Sequence, residues 1–537
     1  MKHFLNPLLL VAILLLGACS SQPETQAIRV SLVADGRERT FAYELPVTVG
    51  EFLRDPKVSV ELNELDRVNP PTFTQISDGM RVTVVRVTEK TECEQSDIPY
   101  RQSTLLNEGL QPGEQRIGQA GQNGTLEVCY RVKFDDGVQA DRVEISRTII
   151  VAPRDEIIYV GPTGDIEPVP ISGTLAYISN GNAWIMRGSS TTKRPVTTTG
   201  DLDKRVFALA SSGRQLLFTR KTSAAEQEEG FNQLWLLSDT TQDSTPVKLI
   251  PGDVLYADWT PSLDNTITYS TGEARAATPG WQAYNDLWRM RIDPQTGEAL
   301  NITKFIERSA GGLYGWWGTR FNWSPDGQKL AWVQADSIGL VDLETGTLNP
   351  PLLRFSVFLT RADWSWRPTI SWSGDGNLLV TTVHGPPVGR ELPENSPAFD
   401  IAVAATDGSY SASIIKYAGI WAAPQFSPLL DTQESQFPRG YLAYLRSRDP
   451  FNSINGEYDL YVADRDGSNA HKVFPPEGQS GIAAQQSIFH SQEFAWSPTG
   501  RQIALIYQGN LWVVDVESGV SHQLTLDGGA TNPVWTQ

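Results

Sequence analysis

From about residue 170 to the C-terminus the chain alternates apolar and polar positions in short runs separated by Gly, Pro, Asp and Asn, the pattern of half-buried strands joined by tight turns. "FNWSPDGQKLAWVQADSIGLVDLETGTL" (321–348) and "FAWSPTGRQIALIYQGNLWVVDVESGVSHQL" (494–524) share one order: a strand ending in Trp-Ser, a turn, a second strand, a tight turn, a third strand ending in Asp, and a fourth strand. Weaker copies begin near 207, 257, 370 and 424, and their third strands recur as "NQLWLL", "NDLWRM", "FDIAVA", "YDLYVA" and "NLWVV". A repeat of four strands at this spacing predicts a β-propeller. Counting first strands gives six complete units, then a lone seventh, "NPVWTQ" (532–537), with nothing after it. "GTLAYISNGNAWIMRGSSTTKRPVTTT" (173–199) supplies later strands with no first strand before them. The two fragments complete each other, so the C-terminal strand is expected to close a ring and remove both free edges. Seven blades are favoured, and the weaker copies leave six or eight open.

Before the propeller lie two shorter patterns. Residues 28–87 begin with an alternating strand pair around "ADG" and end on the strand "MRVTVVRV". Between them "TVGEFLRD" (48–55) predicts a short helix, with Thr48 as N-cap and Glu51 at the capping-box position. Residues 91–164 combine extended runs with closely spaced glycines, which mark positive φ or close strand approach. Long helical patterns are nearly absent, so the chain is expected to be mainly β.

The first nineteen residues change the picture. Lys2, an apolar run from Leu8 to Leu16 and "LGAC" ending on Cys19 form a signal-like stretch too short to span a bilayer. It resembles a bacterial lipoprotein signal, which implies a signal peptide over 1–18, lipidation of Cys19 and a polar tether over 19–27. The resemblance implies an extracytoplasmic protein anchored to the bacterial cell membrane, and to the outer membrane where the host has one.

Residues 28–90 resemble the small ubiquitin-like β-grasp domain found beside G5 domains, through "TVGEFL", Asp66 before "RVNP", and "ISDGMRVTVVR". Residues 91–164 are similar to the G5 domain itself. Gly113, Gly118, Gly121, Gly124, Gly137 and Gly161 stand where that pattern has glycine, with Pro99 and Tyr100 in "IPY" and Pro153 before the last strand. That family is a narrow β-ribbon proposed to bind N-acetylglucosamine, so peptidoglycan is an expected partner, with a plain spacer the alternative. The "WSPDG" turn over 170–537 resembles the TolB-type, WD40-like repeat, whose relatives imply a binding role.

Composition narrows the chemistry. The 537 residues carry a net charge of −18, which repels phosphate backbones and argues against nucleic acid. With Cys19 lipidated, Cys93 and Cys129 remain as an even pair in an oxidising compartment and are read as a structural disulfide. His384, His471, His490 and His522 are scattered, and neither a metal nor a cofactor is expected. No nucleophile elbow, zinc motif, phosphate loop or dinucleotide fingerprint occurs. The Asp-rich turns read as β-turns rather than calcium sites.

The segments entering the first strands, "GGLYGWWGTRFNW", "LTRADWSWRPTISW", "KYAGIWAAPQF" and "SIFHSQEFAW", fall on one face of the ring. They nominate Tyr314, Trp316, Trp317, Arg320, Arg361, Trp364, Trp366, Arg367, Trp421 and His490 as a ligand mouth suited to sugars, peptides or carboxylates. Packing between blades is the competing explanation for several of the tryptophans. The favoured function is non-catalytic: a lipid-anchored, wall-associated stalk presenting a propeller that binds a surface protein or glycan. The alternatives are a propeller-based glycan hydrolase and a purely structural spacer.

Overall fold

The computed structural model describes residues 27–106, 110, 114–161, 167–222, 230–430, 439–483 and 494–537. Cys19 and His490 therefore lie outside the described residues, as do the signal-like segment and most of the tether. The chain divides into two compact units: residues 1–102 with 120–156, and residues 103–119 with 157–537. Among the described residues no helix is long and apolar enough to cross a membrane.

The first unit opens with a four-stranded sheet in the order Arg37–Tyr43, Ile28–Ala34, Met80–Val85, Arg67–Asn69, in which Ile28–Ala34 runs parallel to Met80–Val85. The helix Val49–Arg54 buries Phe52 and Leu53 against Val30, Leu32 and Val82. Its predicted capping box forms: Glu51 N–H donates to Thr48 Oγ1 at 3.2 Å, and Thr48 N–H donates to Glu51 Oε2 at 2.8 Å. Asp66 is fully covered and accepts from Arg86 Nη1 at 2.6 Å, Asn63 N–H at 2.9 Å and Val87 N–H at 3.1 Å. Burial pushes its carboxyl up, but these donors outweigh it and hold the pKa below the ordinary value.

A three-stranded antiparallel sheet follows, Val87–Ile98, Gly124–Asp135 and Val138–Val151. Cys93 and Cys129 face each other across its first pair and are bonded. The only grouping of metal-type ligands among the described residues is Cys93, Glu127 and Cys129, and its two sulfurs are already joined to each other. The crowded glycines serve close approach. A Cβ on Gly121 would sit 2.4 Å from the Tyr100 ring, and one on Gly118 would sit 2.0 Å from the Tyr159 ring.

In the second unit Gln115–Gln119 pairs with Glu156–Val160, and Ile157 and Tyr159 join the core around Tyr177, Trp184 and Trp535. From Pro170 onward the described strands form seven successive antiparallel sheets, the arrangement of a β-propeller. The first combines Asn182–Pro195, Pro170–Ser179 and the C-terminal Ala530–Thr536. The inner strands of the other six are Leu202–Leu209, Val254–Trp259, Arg320–Trp323, Ile370–Trp372, Gln425–Phe426 and Phe494–Trp496. The C-terminal strand pairs with Pro170–Ser179 as its lone position predicted, with Trp535 opposite Leu175 and Trp535 Nε1 donating to Ser172 O at 2.5 Å.

The Asp-rich connections are β-turns held from within. Ser324 Oγ donates to Asp326 Oδ1 at 2.6 Å, Gln328 N–H donates to the same oxygen at 3.0 Å, and Gly327 takes φ +70°. Ser373, Asp375, Gly376 and Asn377 repeat the device.

Candidate functional site

The connections into the inner strands are stapled by a residue at or just before the third strand of the preceding sheet. Asn285, 2% exposed, donates through Nδ2 to Ser309 O at 3.1 Å and Gly315 O at 3.0 Å, while its Oδ1 accepts from Thr319 N–H at 2.7 Å. Asn232 likewise both donates to Val254 O and accepts from Val254 N–H, while Asn182 accepts from Gly200 N–H, Asp400 from Tyr417 N–H and Asn510 from Gly528 N–H. Four of these positions stand at the head of runs that revealed the repeat, Asn232 in "NQLW", Asn285 in "NDLW", Asp400 second in "FDIA" and Asn510 in "NLW". Their polar leader was a legible signal that the sequence reading did not use.

Two stapled connections build the mouth. Gly311–Thr319 carries a short 3₁₀ turn, Gly315–Trp317, entered through Tyr314 at φ +53°. Residues 359–365 are tied by Thr360 Oγ1, which donates to Trp364 O at 2.5 Å, and Arg361 is held at φ +54°. Left-handed backbone at two non-glycine residues costs about 1–2 kcal/mol each and is often found at functional sites. Together these connections enclose a cavity of about 440 Å³ lined by Tyr314, Trp316, Trp317, Arg361, Asp363 and Trp364, among others. Tyr314 and Trp316 pack edge to face at 5.4 Å, and Trp316 remains 46% exposed. Arg361 Nη2 donates to Asn395 Oδ1 at 2.9 Å, which fixes the guanidinium's direction.

The other candidates lie elsewhere. Trp421 stacks against Trp364 at 5.7 Å and donates to Ile454 O, so it backs the mouth rather than lining it. Trp366, 2% exposed, packs edge-on against Phe355 and Phe399 in the core. Its two-residue offset from Trp364 places it beneath the loop. Arg367, 6% exposed, donates to Trp317 O at 2.9 Å and to Gly318 O, holding the Gly311–Thr319 connection from below.

Arg320 belongs to a second cavity of about 540 Å³, lined by residues of five inner strands and their approaches, including Arg205, Asp258, Arg320, Ser371 and Gln425. This is the axial channel. Burial pulls the guanidinium pKa of Arg205, Arg320 and Arg367 below the ordinary value, and each remains a cation near neutral pH. Enclosure pushes the Asp258 carboxyl up to about 6, against the opposing hydrogen bond from Trp259 N–H at 2.7 Å.

Two family models match parts of the chain. The G5 domain family model matches residues 89–163. The model for the dipeptidyl peptidase IV N-terminal region matches residues 453–534, within the propeller. No curated protein matches the chain. Among solved structures, the G5 domain of an IgA1 protease is 20% identical, with 15% of this chain and 94% of that chain covered and a TM-score of 0.13. A protein described as TolB from Agrobacterium tumefaciens is 13% identical, with 58% and 90% covered and a TM-score of 0.32. The β-propeller domain of the Trilobed protease from Pyrococcus furiosus is 12% identical, with 67% and 94% covered and a TM-score of 0.35.

Proposed function

We propose that this chain is a non-catalytic binding protein of the bacterial cell surface. In this reading Cys19 carries the lipid anchor, the β-grasp-like and G5 segments form a wall-associated stalk, and a seven-bladed propeller binds a glycan at its mouth. The observation that carries the reading is the mouth itself. Tyr314, Trp316 and Trp364 bring aromatic faces to one cavity of about 440 Å³ beside the directed donors of Arg361. Aromatic faces match the apolar faces of sugar rings, and a positioned guanidinium orients hydroxyl or carboxylate groups. Asp363 is the one carboxylate among the described residues lining this cavity. Most glycosidases place two carboxyl groups about the scissile bond, so this lining suits binding better than hydrolysis. The G5 match over 89–163 fits association with N-acetylglucosamine-containing wall.

The test is co-sedimentation of the full chain with purified peptidoglycan, comparing wild type with Trp316→Ala/Arg361→Ala. Capture that falls at least tenfold in the double variant supports glycan binding at the mouth. Undiminished capture moves wall association to the stalk and refutes the glycan assignment of the mouth. Absence of wild-type capture refutes the wall-associated reading altogether. Membrane fractionation of Cys19→Ser tests the anchor, which predicts release of the protein into the soluble fraction.

A further inference from the structure

The axial channel holds positive charge that its surroundings do not match. Arg320 opens the inner strand of the fourth sheet and lines the channel cavity. Its Nη1 makes one long hydrogen bond, 3.5 Å to Pro368 O, while its Nη2 is buried and has no hydrogen-bond partner. Arg367 is 6% exposed, and its Nε is likewise buried without a partner. The charge acting on Arg320 is the like charge of Arg367, and among the described residues neither has a carboxylate within ion-pair distance. Arg205 on the same cavity is differently placed, 4.0 Å from Asp203 and over the Trp281 ring at 4.2 Å. Buried cations are ordinarily paired, and a buried donor without a partner destabilises the fold that contains it. Two such groups beside one channel are accounted for if an anion enters it.

We propose that the axial channel is a binding site for a small organic monoanion, a carboxylate, that pairs with the guanidinium of Arg320 on the channel wall and is further held by the positive charge of Arg367. A carboxylate fits better than a phosphate dianion for two reasons. Asp258 on the same wall offsets one positive charge, and Arg205 already stands near Asp203, so the wall carries about one unmatched cation rather than an open cationic bowl. Leu255, Trp372 and Pro424 add apolar wall to the cavity, which favours an organic acid over a bare inorganic ion. Asn322, Ser371 and Gln425 provide polar groups for hydroxyls on such a ligand. The titratable and charged groups facing the cavity are Arg205, Tyr256, Asp258 and Arg320. Of these Asp258 changes charge near pH 6, while burial raises the Tyr256 pKa well above its ordinary value. Carboxylate affinity therefore rises as the pH falls through 6. The proposal does not rest on the mouth, whose aromatic residues line a different cavity.

Calorimetric titration of the full chain at constant ionic strength tests it, with glucuronate, inorganic phosphate and glucose as probes. The expected result is saturable glucuronate binding, much weaker phosphate binding, none of glucose, and at least a tenfold loss of glucuronate affinity in Arg320→Met. Arg361→Met at the mouth should bind glucuronate as the wild type does. Should Arg320→Met fail to fold, Arg320→Lys keeps the cation but loses the planar fork, and should weaken binding several-fold. The proposal is overturned by absence of saturable glucuronate binding, by undiminished affinity in the Arg320 variant that folds, or by phosphate binding more tightly than glucuronate. Loss of glucuronate binding in Arg361→Met with retention in Arg320→Met would also overturn it and place the anion at the mouth.

Discussion

Replacing Trp535 by Ala asks how much of the propeller's stability depends on the C-terminal strand. The indole is 7% exposed, shares a core with Tyr177, Trp184, Leu511 and Val513, and stands opposite Leu175 in the register that closes the first sheet. Truncating a buried large aromatic to Ala costs about 3–5 kcal/mol. The Ser172 carbonyl also loses its indole donor, a further cost of about 1 kcal/mol. A total of about 4–6 kcal/mol can be converted with an unfolding entropy of about 2.1 cal/mol/K per residue, or about 0.8 kcal/mol/K over a propeller of about 370 residues. The melting temperature should therefore fall by about 5–8 °C. Trp316→Ala is the control: that ring is 46% exposed on the mouth rim, and its removal should move the transition by no more than about 1–2 °C. Differential scanning calorimetry of the full chain reads both, with urea unfolding as a second measure. Equal shifts for the two variants would refute the argument, because the closing strand would then contribute no more than a surface ring.

Three further outcomes follow from particular residues. Cys93→Ser/Cys129→Ser opens a cross-link between residues 36 positions apart, and the chain-entropy relation predicts a loss of about 4 kcal/mol, read by urea unfolding with the wild type under oxidising conditions. Asn285→Ala removes the bonds to Ser309, Gly315 and Thr319, should cost about 3 kcal/mol in urea, and should weaken any mouth ligand at least tenfold in calorimetric titration by freeing Gly311–Thr319. Asp258 holds its proton more tightly in the folded chain, with a pKa of about 6 against 3.8, so its contribution is fully present below about pH 4 and is lost as the pH rises through 6. After discounting for its partial access to solvent this is about 1–2 kcal/mol, and Asp258→Asn should flatten that part of the stability profile in urea unfolding followed from pH 4 to 8.

Features governed by local chemistry could be read from the chain. The Ser-Pro-Asp-Gly turn needs only Ser324, Asp326 and a glycine able to take φ +70°, so its copies announced the repeat. The helix at Val49–Arg54 likewise carries its own start signal in Thr48 and Glu51. The closing pair is non-local, yet it was legible because an unpaired strand at one end and a missing one at the other have a single economical solution. The division of the glycine-rich segment between the two units was not legible. Gln115–Gln119 and residues 157–160 belong with the second unit, where Tyr159 meets Trp184, and no spacing in the sequence reports that contact.

The candidate site shows where alternation stops being informative. In "DWSWRP" the segment is neither strand nor helix, so no period distinguishes Trp364, which lines the mouth, from Trp366, which is buried beneath it. Arg320 and Arg367 were expected at the mouth because the segments that carry them enter the inner strands on one face of the ring. Their actual positions, one on the channel wall and one under the loop, depend on five inner strands converging around an axis. A charged residue at the start of an otherwise half-apolar inner strand is the anomaly in that pattern. A ring can tolerate a cation at its axis only where water, a carboxylate or a ligand meets it, and among the described residues no carboxylate lies within ion-pair distance of Arg320, Asp258 being only on the same cavity wall.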